Sequence, residues 1–117
     1  MMVRAIRGAT TVDRNNEDDI ILETKVLLQE MIDLNNINID DMTSIFFTTT
    51  KDVNAEFPSV AARQMGINNV PLMCASEIDV QGSLQKCIRV MIHFNTNKRL
   101  DEIFHVYLRD AQKLRPD

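Results

Sequence analysis

Cys87-Ile88-Arg89-Val90-Met91-Ile92-His93-Phe94 alternates without a break. Successive side chains of a strand point to opposite faces. Ile88, Val90, Ile92 and Phe94 therefore share one side, and Cys87, Arg89, Met91 and His93 the other. The first set is wholly apolar and reads as a core face. The second sets a guanidinium among two sulfur side chains and an imidazole, which reads as a pocket or interface face rather than a freely solvated one. A half-buried guanidinium needs an anionic partner, because leaving it unpaired costs several kcal/mol.

Arginine recurs in similar settings along the chain. Arg7 closes the apolar opening Met2-Val3-Arg4-Ala5-Ile6-Arg7, Arg63 lies in a short helical segment after Phe57-Pro58, and Arg115 follows Leu114 just beyond His105-Val106-Tyr107-Leu108. No carboxylate occupies a matching place in these strands, which makes a small anionic ligand the expected partner. The bulk of the chain is acidic, with a net charge of -4, so a basic face for nucleic acid is not expected.

The 117 residues fit one domain, 1–117, with 44% hydrophobic and 26% charged content, ordinary for a globular chain with a single core. No stretch approaches the ~20 apolar residues that span a membrane. Arg4 and Arg7 interrupt the opening apolar run, so it does not read as a secretion signal. The two cysteines, Cys74 and Cys87, form no C-x-x-C pair and read as reduced thiols of a cytoplasmic protein. His93 and His105 lack ligand-spaced neighbours, and with three glycines in the chain there is no phosphate loop; neither a metal nor a cofactor is expected.

Outward from residues 87–94, the pattern gives a strand at 2–7 ending at Gly8, then a polar, turn-rich stretch over 8–16. Asn15 or Asn16 caps a helix whose first turn holds Glu17, Asp18 and Asp19. Ile20, Thr24, Leu27, Leu28 and Met31, extended by Leu34, form its buried stripe. A helical turn is expected at 39–42, a strand at 43–49, a short helix from Pro58 to Gly66, and a strand at 70–75. A loop at 76–86, the strand 87–94 and a last strand at 104–108 complete the order β-α-β-α-β-β-β. In the last strand Phe104, Val106 and Leu108 should share the core face, with His105, Tyr107 and Arg109 opposite. This is a mixed α/β (α+β) domain of about five strands and one long helix. One helix covers one face of such a sheet, so the other face is expected to pack on another copy of the chain.

Several blocks together resemble the monofunctional AroH-class chorismate mutases. They are Val3-Arg4-Ala5-Ile6-Arg7-Gly8-Ala9-Thr10-Thr11-Val12, Phe57-Pro58 with Arg63, Val70-Pro71 with Cys74 and Glu77-Ile78-Asp79-Val80, Lys86-Cys87-Ile88-Arg89-Val90-Met91, and His105-Val106-Tyr107-Leu108 with Leu114-Arg115-Pro116. Their order and spacing match across the whole chain. The resemblance implies a pseudo-α/β-barrel homotrimer with a site in each cleft between subunits. It implies conversion of chorismate to prephenate, without cofactor, in the biosynthesis of phenylalanine and tyrosine. That substrate is a small dicarboxylate, the kind of partner the strand arginines lack.

By resemblance, Arg89 faces the ether oxygen on which charge develops, and Arg7 holds a carboxylate with help from Tyr107. Glu77 and Cys74 form a polar wall for the ring hydroxyl, Phe57 is an apolar wall from the adjacent subunit, and Arg63 and Arg115 stand at the mouth. Met73, Ala75, Ser76 and Leu114 complete the substrate-binding set. Several have a plainer alternative: Arg89 as an interface ion-pair partner, Arg7 as a strand-end surface charge, Cys74 as a small buried hydrophobe, Tyr107 as an amphipathic interface residue, Glu77 as a solvated loop carboxylate. Val60 stands where a basic residue is expected, and Met73 where a small polar one is. Two rival functions remain open at this level: a metabolite-binding trimer without catalysis, and an imine deaminase on a similar trimeric fold.

Overall fold

A computed structural model describes residues 1–114. Arg115, which the family resemblance puts at the mouth, lies outside the described residues. Strand β1 (Met2–Thr11) leads into helix α1 (Glu17–Asn35), a 3-10 turn (Ile39–Asp41), strand β2 (Met42–Thr49), helix α2 (Ser59–Gln64), strand β3 (Leu72–Ser76) and strand β4 (Cys87–Thr96). A 3-10 turn (Leu100–Glu102), strand β5 (Val106–Tyr107) and a last 3-10 segment (Arg109–Leu114) follow. The five strands form one mixed sheet in the order β3-β2-β4-β1-β5. The two long central ladders, β1 with β4 and β2 with β4, are antiparallel; the outer pairs β2 with β3 and β1 with β5 are parallel.

The alternation in β4 is borne out. Ile88, Val90, Ile92 and Phe94 are all buried, while Arg89 and Met91 are exposed and His93 half-buried. Cys87 departs from its face by being buried, at the end where β4 leaves the loop over 77–86. Helix α1 lies over the apolar side and buries Ile20, Thr24, Leu27, Leu28 and Met31. Complete burial of a leucine, isoleucine or methionine contributes about 1.5–3 kcal/mol, so this one stripe anchors the layer. Asn16 supplies the N-cap, its side chain accepting from the Asp19 N–H at 2.8 Å. The helix stops at Asn36, in the left-handed conformation with φ 51°, which asparagine tolerates better than most residues.

Three expectations are corrected. Gly8 does not end β1; the strand runs through it to Thr11, and the glycine is there because α1 sits directly on it. A Cβ at Gly8 would lie 2.3 Å from Met31 Sδ, inside van der Waals contact. Leu34 is exposed, and the buried residue at the end of the stripe is Asn35. Its amide explains the third correction, that β5 is confined to Val106 and Tyr107. Asn35 Nδ2 donates to the Phe104 carbonyl and Asn35 Oδ1 accepts from the Phe104 N–H, both at 2.9 Å. The backbone of Phe104 is thus satisfied by α1 instead of by a sheet neighbour, and its ring is exposed rather than in the core.

Cys87 is buried, and burial pushes its thiol up from an ordinary value of 9.0 to about 11. Because the folded value exceeds the unfolded one, the protonated thiol's contribution to stability is complete below pH ~9 and disappears as pH rises through about 11. Unfolding midpoints measured across that interval should fall more steeply for the wild type than for Cys87→Ala. Iodoacetamide at pH ~8 should label the half-buried Cys74 well before Cys87, because a buried, protonated thiol is a poor nucleophile.

Candidate active site

Two rows of side chains cross the face of the sheet opposite α1. The first follows from the strand registers: Ala75 lies beside Thr48, Thr48 beside Arg89, Arg89 beside Ala9, and Ala9 beside Tyr107. One pleat away, Met73 lies beside Phe46, Phe46 beside Met91, and Met91 beside Arg7. The Arg7 N–H donates to His105 Nδ1 at 2.9 Å, which ties this row to the segment before β5. Arg7 and Arg89 are diagonal neighbours across the β1–β4 ladder, so two guanidiniums share one patch with the phenol of Tyr107.

Glu77 enters from the loop that leaves β3. Its N–H donates to the Thr49 carbonyl at 2.9 Å, docking the loop against the end of β2. The side chain turns back over the sheet, where Oε2 accepts from the Thr48 hydroxyl and Oε1 lies 3.6 Å from Arg89 Nη1. Arg89 therefore has a protein carboxylate beside it, which corrects the expectation drawn from the strands alone. The contact is longer than the ~2.7–2.9 Å of a direct charge-assisted hydrogen bond, and 46% of the Arg89 side chain stays exposed. Arg7 has no ion-pair partner among the described residues. A pair of guanidiniums facing a single carboxylate leaves the patch cationic.

Arg7, Glu77, Arg89 and Tyr107 line one cavity of about 250 Å³. Thr48, Phe46 and Met91 line it too; Met91 was already on the pocket face of its strand, but Thr48 and Phe46 were not singled out from the sequence. A threonine or phenylalanine in a strand looks like ordinary β-propensity, and only the register of β2 against β4 reveals them. Leu114 joins Glu77, Cys87 and Arg89 around an adjoining hollow of about 210 Å³.

The remaining candidates are elsewhere on the chain. Phe57, Cys74, Ala75 and Ser76 line a separate cavity of about 340 Å³ against the loop after β2. Cys74 stands beside Phe47 and packs against the core cluster, so within one chain it does not share a wall with Glu77. Met73 is exposed on the strip with Phe46 and Met91, and Arg63 is exposed on α2. Phe57, Cys74 and Ser76 thus lie away from the Arg89 cavity, while Met73 and Ala75 stay on its face of the sheet. Among the described residues no group of three His, Cys, Asp or Glu is placed to hold a metal ion.

The family model of chorismate mutase type I matches residues 3–117. The chain belongs to the chorismate mutase type I family. It is 45% identical over 118 residues to Chorismate mutase AroH of Bacillus subtilis, covering all of this chain and 93% of that one. It is 44% identical to Chorismate mutase AroH of Thermus thermophilus over 117 residues, 99% of this chain and 96% of the relative. A solved chorismate mutase from Clostridium thermocellum superposes with a TM-score of 0.93 at 55% identity, over 94% of this chain and 98% of that one. The blocks spread along the sequence belong, as their order and spacing implied, to one mutase fold.

Proposed function

We propose that this chain catalyses the rearrangement of chorismate to prephenate in a cleft completed by a neighbouring copy of itself. One observation carries the proposal: in a chain of the chorismate mutase type I family, two guanidiniums and one carboxylate share a cavity partly walled by apolar side chains. Chorismate carries two carboxylates, so the excess positive charge matches it.

The rearrangement breaks an ether C–O bond as a C–C bond forms, within one molecule and with no net proton transfer. The protein then has two tasks. It holds the substrate in the compact conformer, which saves the entropy of finding it, and it stabilises negative charge developing on the ether oxygen. Arg89 is assigned the second task. A guanidinium is always charged and its planar N–H groups are fixed in direction, so little has to reorganise as the charge appears. Arg7, with the Tyr107 hydroxyl, is assigned a substrate carboxylate, and the Glu77 carboxylate the ring hydroxyl. Glu77 beside Arg89 is what a mutase needs and what an imine deaminase does not.

The second group of candidates favours an assembly. Phe57, Cys74 and Ser76 do not line the Arg89 cavity of their own chain, but a neighbour can present them to it. The strip Met73, Phe46 and Met91 is 61%, 42% and 37% exposed, an apolar band that a second copy would cover. We assign the assembly as a homotrimer, to be checked by sedimentation equilibrium; a monomeric mass at assay concentration would sink the shared cleft. No described helix is long and apolar enough to cross a membrane. Both cysteines are free, which favours a reducing compartment such as the cytoplasm.

The decisive test follows chorismate loss by absorbance and identifies prephenate as product. A rate no greater than the uncatalysed background would overturn the proposal. Arg63, exposed on α2 and assigned to the mouth, should act on capture: Arg63→Ala is expected to raise KM roughly three- to tenfold, the scale of one exposed charge contact, with kcat nearly unchanged. A collapse of kcat instead would place Arg63 at the reacting atoms.

A further inference from the structure

We propose that Thr48 is a positioning residue for this reaction, one that holds the Glu77 carboxylate so that it cannot close onto Arg89. The inference rests on the mutase reading above. Thr48 and Arg89 are direct partners across the β2–β4 ladder, so their Cβ atoms stand about 4.5–5.5 Å apart on the same face. Glu77 arrives above this pair from the β3 loop, its backbone fixed by the Thr49 carbonyl. Its two oxygens are then divided, Oε2 to the Thr48 hydroxyl and Oε1 toward Arg89 at 3.6 Å.

The division matters because arginine and carboxylate prefer a two-pronged contact. Left to itself, a carboxylate this close would present both oxygens to the guanidinium in the bidentate arrangement, with N–O distances of about 2.7–2.9 Å. That arrangement would occupy the N–H edge the ether oxygen needs and neutralise the charge that stabilises the transition state. The hydroxyl of Thr48 takes one oxygen out of the contest. Glu77 stays near enough to orient Arg89 and far enough to leave donors facing the cavity. The effect belongs to kcat, because charge on the ether oxygen exists in the transition state and not in bound chorismate.

The plainer role, a β-branched residue that suits a strand, is separable from this one. Thr48→Val keeps the β-branched shape and β-propensity and replaces the hydroxyl with a methyl group. Steady-state kinetics on Thr48→Val should show kcat lowered roughly ten- to hundredfold, the scale of a misplaced catalytic group, with KM within about twofold of wild type. Thr48→Ser, which keeps the hydroxyl, should restore most of that loss. In a Glu77→Gln background, where the amide no longer neutralises a guanidinium, adding Thr48→Val should change kcat by less than about twofold. Should Thr48→Val fail to fold, Thr48→Ala in the same two backgrounds reads the same coupling.

The proposal is overturned if Thr48→Val turns over at the wild-type rate, or if it costs as much in the Glu77→Gln background as alone. Failure of the underlying reading looks different. In that case the wild type itself leaves chorismate at its background rate.

Discussion

Arg89→Lys should lower kcat by about two to three orders of magnitude, the loss typical of removing one preorganised donor at a developing oxyanion. The substitution keeps the unit charge, so the expected size depends on geometry and not on electrostatics in general. A guanidinium has five N–H donors in a plane and can turn one edge to Glu77 while another faces the cavity. An ammonium is a compact point charge on a flexible stem. With the Glu77 carboxylate already 3.6 Å from the guanidinium, the lysine would settle onto that carboxylate and leave the ether oxygen without a donor. The drop should therefore appear in kcat, with KM altered far less, because Arg7 and Tyr107 still bind the substrate. Near-normal turnover would remove Arg89 from its assigned place at the reacting bond. Arg89→Lys combined with Glu77→Gln should recover part of the loss, since the competing anion is then gone.

How far a residue's role could be read from the sequence depended on whether its cause was local. The β4 alternation is local, because a period of two follows from the pleat itself, and the buried set Ile88, Val90, Ile92 and Phe94 came out as the pattern implied. The stripe on α1 is equally local as far as Met31. Gly8 read as a stop because the reason for it, a methionine on the next element, is invisible in its own neighbourhood. Phe104 read as a core strand residue because hydrophobicity argues that way, yet its backbone is claimed by the amide of Asn35, far away in sequence.

The site divides along the same line. Arginines in apolar strands stand out by composition, so Arg7 and Arg89 were legible before any family resemblance. Their environment was not. Glu77 reaches Arg89 from a loop, and a search for carboxylates in matching strand positions passes over it. Cys74 and Glu77 were joined in one wall by the family resemblance alone. Strand alternation sends Cys74 toward Phe47 and the core, while Met73 and Ala75 face the side that carries Phe46 and Thr48. Phe57 and Cys74 line another cavity of the chain, and the neighbour that would bring them to Arg89 leaves no mark in the pattern of a single sequence.

Gly8→Ala should destabilise the fold by about 1–3 kcal/mol, the usual cost of forcing an extra methyl into a packed core. Two effects compete. Replacing glycine reduces the freedom of the unfolded chain, which by itself stabilises by about 0.4–1 kcal/mol. Against it stands the position of the added methyl, 2.3 Å from Met31 Sδ, 2.9 Å from Met31 Cε and 3.1 Å from Leu27 Cδ1. A methionine tip is flexible and on a surface would swing aside. Met31 is fully buried, and its side chain has nowhere to go unless α1 lifts from the sheet. The clash should therefore win, and chemical denaturation should show the loss. Because β1 also carries Arg7, a displaced strand should lower activity before it lowers expression. Met31→Ala alone should cost about 2–5 kcal/mol through the cavity it opens. The double variant should be more stable than the sum of the two losses by about 1 kcal/mol or more, since the new methyl partly fills that cavity. Strict additivity would mean that Gly8 and Met31 do not press on each other, and that something other than the approach of the helix demands a glycine there.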